Sequence, residues 1–176
     1  ESQDLLFVND IFMGAIFLTA VYWYSKSHIR KKYANSPIGR YFIPALFIRL
    51  GGSLLSALIF DFYYDGGDTS SYFRLILMMR DVWDMAPREY VHIMLSSADE
   101  MGHPYLEQFF SYGFLYILFF DKSTALLIKM GSVLGFLCFN SYIVISFVFT
   151  AFSFLGCWKI YKVFYELYPA LHKELA

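Results

Sequence analysis

The sequence predicts an all-α, polytopic membrane protein, and three observations carry that prediction. Hydrophobic residues make up 58% of the 176-residue chain and charged residues only 16%, whereas soluble domains are nearer half apolar and a quarter charged. Three stretches are apolar for about 20 residues, the length of helix that crosses a hydrocarbon core. Basic residues cluster between the first two stretches, and acids follow the second. The net charge of −1 does not indicate nucleic acid as a partner.

The three predicted spans cover residues 5–24, 41–60 and 140–158. The first contains a single charge, Asp10, and the second contains a single charge, Arg49. The third lies in the uncharged zone 130–158, which is longer than one crossing needs, so we place the span in the later part of that zone. Residues 109–134 begin with a shorter apolar run and are predicted to be a re-entrant or interfacial segment, with a fourth short span as the alternative.

Charge predicts the orientation of these spans, because short loops rich in lysine and arginine stay cytoplasmic. The connector 26–40 carries five basic residues and no acid, so we expect it inside. The segment 61–108 carries nine acids and three arginines, so we expect it outside, and the tail 159–176 is predicted to be inside. We treat 1–176 as one membrane-embedded unit. Because the chain starts at Glu1 rather than Met, we expect a processed protein or a fragment of a longer one.

The external segment begins with "FDFYYDGGDTSSYF", residues 60–73. Gly66 and Gly67 predict a turn, and their lack of a side chain also permits close approach of a ligand. Asp68 is then predicted to be the N-cap of a helix whose first turn contains Thr69. That helix is predicted to be amphipathic and to lie along the membrane surface. Its apolar face comprises Leu75, Ile76, Met79 and Trp83.

Three carboxylates, Asp61, Asp65 and Asp68, fall within eight positions. Crowded carboxylates bind a divalent cation through oxygen ligands, or raise one another's pKa until one of them serves as a base. The alternative for Asp61 and Asp65 is that they are solvated charges on the outer side of the membrane. A divalent cation is the only cofactor that the sequence indicates.

Several further residues are candidate substrate ligands. Arg49 lies in the middle of a span, where a charge marks a partner or a polar cavity; it either pairs with Asp10 or faces a cavity and meets an anionic head group. In "MGHPYLEQ", His103 and Glu107 lie on either side of Pro104, which places Glu107 in the first turn of a predicted helix. Three arginines of the external segment bind either phosphate or lipid head groups. These are Arg74, Arg80 and Arg88.

The order of these features resembles the N-terminal part of the EpsG-like and Wzy-like bacterial polysaccharide polymerases. The resemblance covers about residues 5–158: a short first span, a lysine-rich turn, and a second span that ends in a Gly-x-Asp-x-x-x-Tyr element, here Gly66, Asp68 and Tyr72. A long external segment and the stretch "HPYLEQFFSYGF" follow. Members of this family are longer, and their later external loops, with arginines that engage the lipid diphosphate, have no counterpart here.

The resemblance implies transfer or polymerisation of a sugar carried on a polyprenyl diphosphate, at the outer face of a bacterial inner membrane. Asp68 would be the acid that activates or orients an acceptor hydroxyl, and Tyr72, one helical turn later, would stack on or hydrogen-bond the sugar. The implied partners are the bilayer, a polyprenyl-linked glycan and other membrane proteins of a glycan-assembly system. The competing hypothesis is a non-catalytic membrane subunit or scaffold whose acidic external segment docks a partner or a cation.

Overall fold

A computed structural model describes residues 8–33, 37–64, 67–96 and 122–168, without the side chains of residues 8 and 9. Within these ranges the fold is all-α, as predicted, with six helices and no strand. The helices are α1 (Val8–Lys32), α2 (Gly39–Phe62), α3 (Asp68–Met85), α4 (Pro87–Leu95), α5 (Lys122–Leu137) and α6 (Tyr142–Leu167). The described residues divide into two compact units. Unit 1 contains α1, α2 as far as Ile59, and α6, and unit 2 contains the helices between Phe60 and Ser141.

The helices of unit 1 alternate in direction, and the contacts along them establish this. Along α1 and α6 the residue numbers of the contacting partners increase together: Gly14 packs against Ile143, and the ring of Phe17 stacks on Phe147 with 6.0 Å between centroids. These two helices therefore run parallel. On α2 and α6 the order is reversed, since Phe42 meets Trp158 at 4.9 Å between ring centroids whereas Ser53 meets Thr150. α2 is therefore antiparallel to α6.

This arrangement brings the carboxyl ends of α1 and α6 and the amino end of α2 to one end of unit 1. That end, which we call the basic end, carries nearly all the cations of the unit. They are Lys26, Arg30, Lys31, Lys32, Arg40, Lys159 and Lys162. The basic residues that predicted the inner side of the membrane are thus gathered together by the packing of the three helices.

Unit 1 has an apolar interior and an apolar exterior. Its core is a cluster of eight buried residues: Ile38, Phe42, Leu46, Leu50, Ile143, Phe147, Phe154 and Trp158. Large apolar side chains also face outward along all three helices, among them Phe12, Ile16, Ile48, Leu55, Phe152 and Leu155. A soluble bundle covers its outer faces with polar residues, and the outer faces of these helices depart from that pattern.

The predicted spans match these helices to different degrees. Residues 41–60 correspond to α2, and residues 140–158 correspond to the first two thirds of α6. Both helices are long and apolar enough to cross a membrane. Among the described residues α1 does not reach that hydropathy, because it starts with Asn9 and Asp10 and continues through its basic end to Lys32. The span 5–24 is therefore not confirmed, and the link between α1 and α2 is shorter than the predicted connector 26–40.

Unit 2 has its own core, in which α3 packs against both α4 and α5. The buried cluster comprises Leu75, Met79, Val82, Tyr90, Ile93 and Ile128. The prediction of which residues form the apolar face of α3 is thus largely confirmed, but the prediction that this face lies on a membrane surface is wrong. Leu75, Ile76 and Met79 are buried within unit 2 rather than laid on a membrane surface.

Local chemistry fixes the ends of the unit 2 helices. α3 stops before Pro87, because a proline disfavours helical geometry at the preceding residue, and α4 then starts at that proline. The Ser96 hydroxyl donates to the carbonyl of Ile93 at 3.1 Å and closes α4. At the end of α5, Phe139 and Asn140 have positive φ values, and the Asn140 N–H donates to the Gly135 carbonyl at 2.9 Å, which terminates the helix in a left-handed turn.

Candidate functional site

Asp68 is the first residue of α3, and its side chain is exposed. The predicted N-cap role is wrong, because Gly67 occupies that position and no side chain caps the helix. Asp68 lies instead in the first turn, where its negative charge is stabilised by the helix dipole. A carboxylate in this position is open to the solvent and able to accept a hydrogen bond from a ligand hydroxyl.

Tyr72 follows Asp68 by one helical turn on the same face of α3. Its side chain is half-buried and packs against the core cluster of unit 2. The ring is thus held by the core while part of it stays accessible. The pair therefore combines an exposed carboxylate with an aromatic ring that packs against the core, and the catalytic roles predicted for the two residues remain predictions.

Gly67 is the residue that joins the end of α2 to α3. Its backbone is extended, and a Cβ atom at this position would lie 2.7 Å from the ring of Phe60. The requirement for glycine here is therefore close packing of an aromatic ring on the backbone. Gly66 and Asp65 lie outside the described residues, so the proposed ligand role of Gly66 and the cation site of Asp61, Asp65 and Asp68 remain predictions. No group of three metal-ligating side chains forms within the described ranges.

The two arginines predicted to bind substrate on α3 differ in their environments. Arg80 is engaged within unit 2: its Nε lies 3.3 Å from Asp84 Oδ2, and its guanidinium lies 4.4 Å from the ring centroid of Phe136. Arg74 is exposed to solvent. Of the two, Arg74 is the more accessible cation for a phosphate or a lipid head group. His103 and Glu107 lie outside the described residues, and their predicted roles are unchanged.

Arg49 belongs to unit 1, about 15 Å along α2 from Gly39 and close to the middle of that helix. Its guanidinium donates to the hydroxyl of Ser153 on α6 at 3.0 Å. The predicted partner Asp10 is buried near the start of α1. The hydrogen bond to Ser153 shows that Arg49 faces α6.

The other interpretation of Arg49, that it faces a cavity, agrees with the structure. Arg49 lines a groove of about 530 Å³ between α2 and α6, which we call the Arg49 groove. Its remaining wall is almost entirely apolar or aromatic, and comprises Tyr41, Pro44, Ala45, Ile48, Phe154, Cys157, Trp158 and Tyr161. The sequence indicated Arg49, but the aromatic wall comes from a distant part of the chain and had no local signal.

Comparison with known proteins identifies no relative of this chain. A scan against models of protein families finds no match, and searches of curated proteins and of solved structures find no significant similarity. Over the part of the chain that the structure describes, the class is a helical protein with two helices long and apolar enough to cross a membrane.

Proposed function

We propose that this chain is an integral membrane protein and the N-terminal part of a glycan polymerase or glycosyltransferase that acts on polyprenyl-diphosphate-linked sugars. The observation that carries the proposal is the placement of Asp68 and Tyr72. They form an exposed carboxylate and a core-held aromatic ring on one face of a helix that begins directly after the apolar helix α2 ends. Both residues belong to the Gly-x-Asp-x-x-x-Tyr sequence element on which the resemblance to polysaccharide polymerases rests.

Membrane insertion is supported by the outward faces of unit 1. Phe152 on α6 and Ile48 on α2 are 65% and 76% exposed, although both side chains are large and apolar. Burying such side chains in lipid stabilises each by about 1.5–3 kcal/mol relative to water. The gathered basic end places cations on one side of the bundle, as the positive-inside rule requires of a cytoplasmic face. The acidic segment after α2 then emerges on the outer face of a bacterial inner membrane.

In the proposed reaction an acceptor hydroxyl attacks the anomeric carbon of the lipid-linked sugar. A new carbon–oxygen bond forms, the bond from the anomeric carbon to the diphosphate breaks, and the diphosphate leaves with the electron pair. Asp68 holds the acceptor hydroxyl and takes its proton. Tyr72 orients the sugar through its ring face, which suits the apolar face of a pyranose. Arg74 is exposed on a different face of the same helix and attracts the phosphates of the carrier as a nearby positive charge.

The Arg49 groove has the chemistry of a lipid-carrier path. Its apolar and aromatic walls suit an isoprenoid chain, and a single guanidinium suits a phosphate that passes or binds nearby. Replacing Arg49 by Gln is expected to lower the apparent affinity for the lipid-linked sugar while retaining the helix packing, because Ser53 and Thr150 still join α2 to α6 at 3.0 Å.

The experiment is glycan chain extension in cells that produce the Asp68→Asn variant in place of the wild-type protein. We expect extension to be abolished while the amount of membrane-inserted protein is unchanged, since the loss of one dipole-stabilised charge costs only about 0.3–1 kcal/mol. The matched control is Asp81→Asn, which removes another exposed carboxylate from the same helix and should leave extension intact. Unaltered polymer length with Asp68→Asn would exclude the enzymatic role.

The second candidate, a scaffold that docks a partner through its acidic segment, is favoured by the buried core of unit 2. In the described residues, a core formed by α3, α4 and α5 leaves Asp81 and Asp84 exposed and available to a partner. In that case charge reversal at Asp81, Asp84 and Glu89 should release a co-purifying membrane protein, whereas Asp68→Asn should have no effect on the glycan. The two sets of variants therefore separate the two functions.

A further inference from the structure

A second cavity in unit 1 lies between α1 and α6 at the basic end of the bundle. Its volume is about 600 Å³, and Phe42 and Leu46 of α2 close its inner side. It shares the aromatic residues Phe154 and Trp158 with the Arg49 groove but opens between a different pair of helices. We call it the α1/α6 pocket. None of its residues was indicated as a ligand by the sequence.

One half of the α1/α6 pocket is cationic. His28 and Lys32 lie one turn apart on α1, and Lys159 and Lys162 lie three residues apart on α6. Because α1 and α6 run parallel, both sets lie at the same end of the pocket. The described wall contains no carboxylate. Glu166 contacts Lys162 from outside the wall at 3.3 Å, in a pair that is largely exposed, and such pairs contribute little.

Aromatic side chains add hydrogen-bond donors beside these cations. The Trp158 indole N–H donates to the Tyr33 hydroxyl at 3.3 Å. The Tyr33 oxygen therefore acts as an acceptor towards Trp158, and its own O–H proton is left to donate to an oxygen of a ligand. Both residues line the pocket, so this end offers ammonium groups and a hydroxyl donor to the same anion.

The other half of the pocket is apolar. Val21 on α1 and Ala151 and Leu155 on α6 line it. Val21 lies about 16 Å from Lys32 along the helix axis, so the pocket changes from apolar to cationic over a length comparable with half a bilayer. A small soluble anion would use only the cationic half. An amphiphile with one negative head group and a hydrocarbon chain would use both.

We propose that the α1/α6 pocket binds an anionic phospholipid of the leaflet at the basic end, with its phosphodiester between the lysines and an acyl chain beside Val21 and Leu155. Basic pockets between membrane helices on the cytoplasmic side are suited to anionic head groups. The inference rests on the membrane placement proposed above and is independent of the glycan chemistry.

The test uses the fluorescence of Trp158, which lies in the pocket wall. The chain contains three tryptophans, so Trp23→Phe and Trp83→Phe leave Trp158 as the single reporter. The full chain is reconstituted into mixed vesicles of phosphatidylcholine and phosphatidylglycerol in which one lipid or the other is brominated. We expect brominated phosphatidylglycerol to quench Trp158 in preference to brominated phosphatidylcholine, with the relative affinity derived from the quenching higher by about fivefold for each engaged lysine.

The decisive comparison is between two triple variants with the same change of net charge. Lys32→Gln, Lys159→Gln and Lys162→Gln together should abolish the preference for phosphatidylglycerol. Lys26→Gln, Arg30→Gln and Lys31→Gln, whose residues line a different groove on α1, should retain it. Equal loss in both variants would show attraction by general surface charge, and an unchanged preference in the first would show binding elsewhere; either result overturns the proposal.

Three further outcomes distinguish failure of this inference from failure of the membrane placement on which it rests. If excess inorganic phosphate displaces the brominated phosphatidylglycerol, the pocket is a site for free phosphate and the lipid proposal is wrong. If neither brominated lipid quenches Trp158, the chain is not in the bilayer and the membrane placement itself fails. If both lipids quench equally, the membrane placement stands and only the anionic lipid site is rejected.

Discussion

The two units differ in where their apolar side chains lie. Unit 1 is apolar both inside and outside, and its α2 and α6 place single polar residues such as Arg49 among long hydrophobic runs. In unit 2, α3 carries five charged residues in 18 positions and turns its apolar face to α5. The difference is what the proposed membrane placement of unit 1 requires, with lipid around unit 1 and water around unit 2. Substitutions that affect the units differently test whether this distinction is real.

The largest effect is expected in the core of unit 2. Ile93 is 0% exposed and belongs to the buried cluster of α3, α4 and α5. Ile93→Ala leaves a cavity and should lower the free energy of unfolding by about 2–5 kcal/mol. The matched control is Val91→Ala on the same helix, because Val91 is 46% exposed and should change stability by only about 0.5 kcal/mol. Urea titration of the purified full chain in detergent measures both, and equal losses would show that unit 2 lacks a packed core.

A second test compares outward apolar residues of the two units. Phe152 on α6 and Met85 on α3 are 65% and 64% exposed. Phe152→Asp should oppose insertion of α6 by about 2.5–3.5 kcal/mol, the cost of a charge near the centre of a membrane helix, whereas Met85→Asp should be tolerated. The fraction of each variant that stays in alkali-washed membranes gives the answer. Retention of both variants at the wild-type level would contradict the conclusion that the outer face of unit 1 contacts lipid and that of unit 2 does not.

A third test addresses a buried polar contact in unit 2. The hydroxyls of Tyr90 and Ser132 lie 2.9 Å apart and join α4 to α5. Tyr90→Phe leaves the Ser132 hydroxyl buried without this partner and should cost about 1–3 kcal/mol. Adding Ser132→Ala removes the stranded hydroxyl, so the double variant should be less destabilised than the sum of the single variants. Additive losses in the double-mutant cycle would show that the contact contributes nothing.

The smallest effect is a pH dependence from Lys129. Burial lowers the pKa of Lys129 from its ordinary value of 10.5, although its ammonium donates to the Ser96 carbonyl at 2.8 Å. The unfolded chain therefore holds this proton to higher pH than the folded chain, so stability rises as pH increases towards 10.5. Lys129→Met should flatten this part of the stability profile.

The Lys129 measurement needs a background without Cys138. Burial raises the pKa of the Cys138 thiol from 9.0, so the folded chain keeps that proton longer than the unfolded chain and stability falls as pH rises through the same range. In the Cys138→Ala background the difference between the profiles with and without Lys129→Met should report Lys129, because every other titrating group is common to both. A profile unchanged by Lys129→Met would contradict the assignment.

The sequence was most informative where a single physical signal dominates. The length of the uninterrupted apolar runs predicted both ends of α2 to within two residues of the observed bounds. It also predicted the start of α6 to within two residues. It did not predict how far α1 continues. Helix-compatible residues such as Lys26 and Arg30 follow the apolar run without a glycine or proline before Pro37, so the helix extends through its charged end.

Periodicity identified the apolar face of α3 but not what covers it. Leu75, Ile76 and Met79 share a face whether that face meets lipid or protein, and only the packing on α5 decides between the two. The hydrogen-bond partner of Arg49 could not be predicted from the sequence either. Its bond to Ser153 depends on how α2 is rotated against a helix about 100 residues further along the chain. The placements of Asp68 and Tyr72 on α3 followed from local sequence alone, because they depend on a single helix.

The central claim is that unit 1 spans a membrane with its basic end inside and the acidic segment after α2 outside. The most direct measurement is labelling of single cysteines by a membrane-impermeant maleimide in intact cells, in a background with Cys138→Ala and Cys157→Ala. We expect Asp81→Cys on α3 to be labelled in intact cells and Lys31→Cys at the basic end of α1 to be labelled only after permeabilisation. Labelling of both positions in intact cells, or of Lys31→Cys alone, would contradict the account.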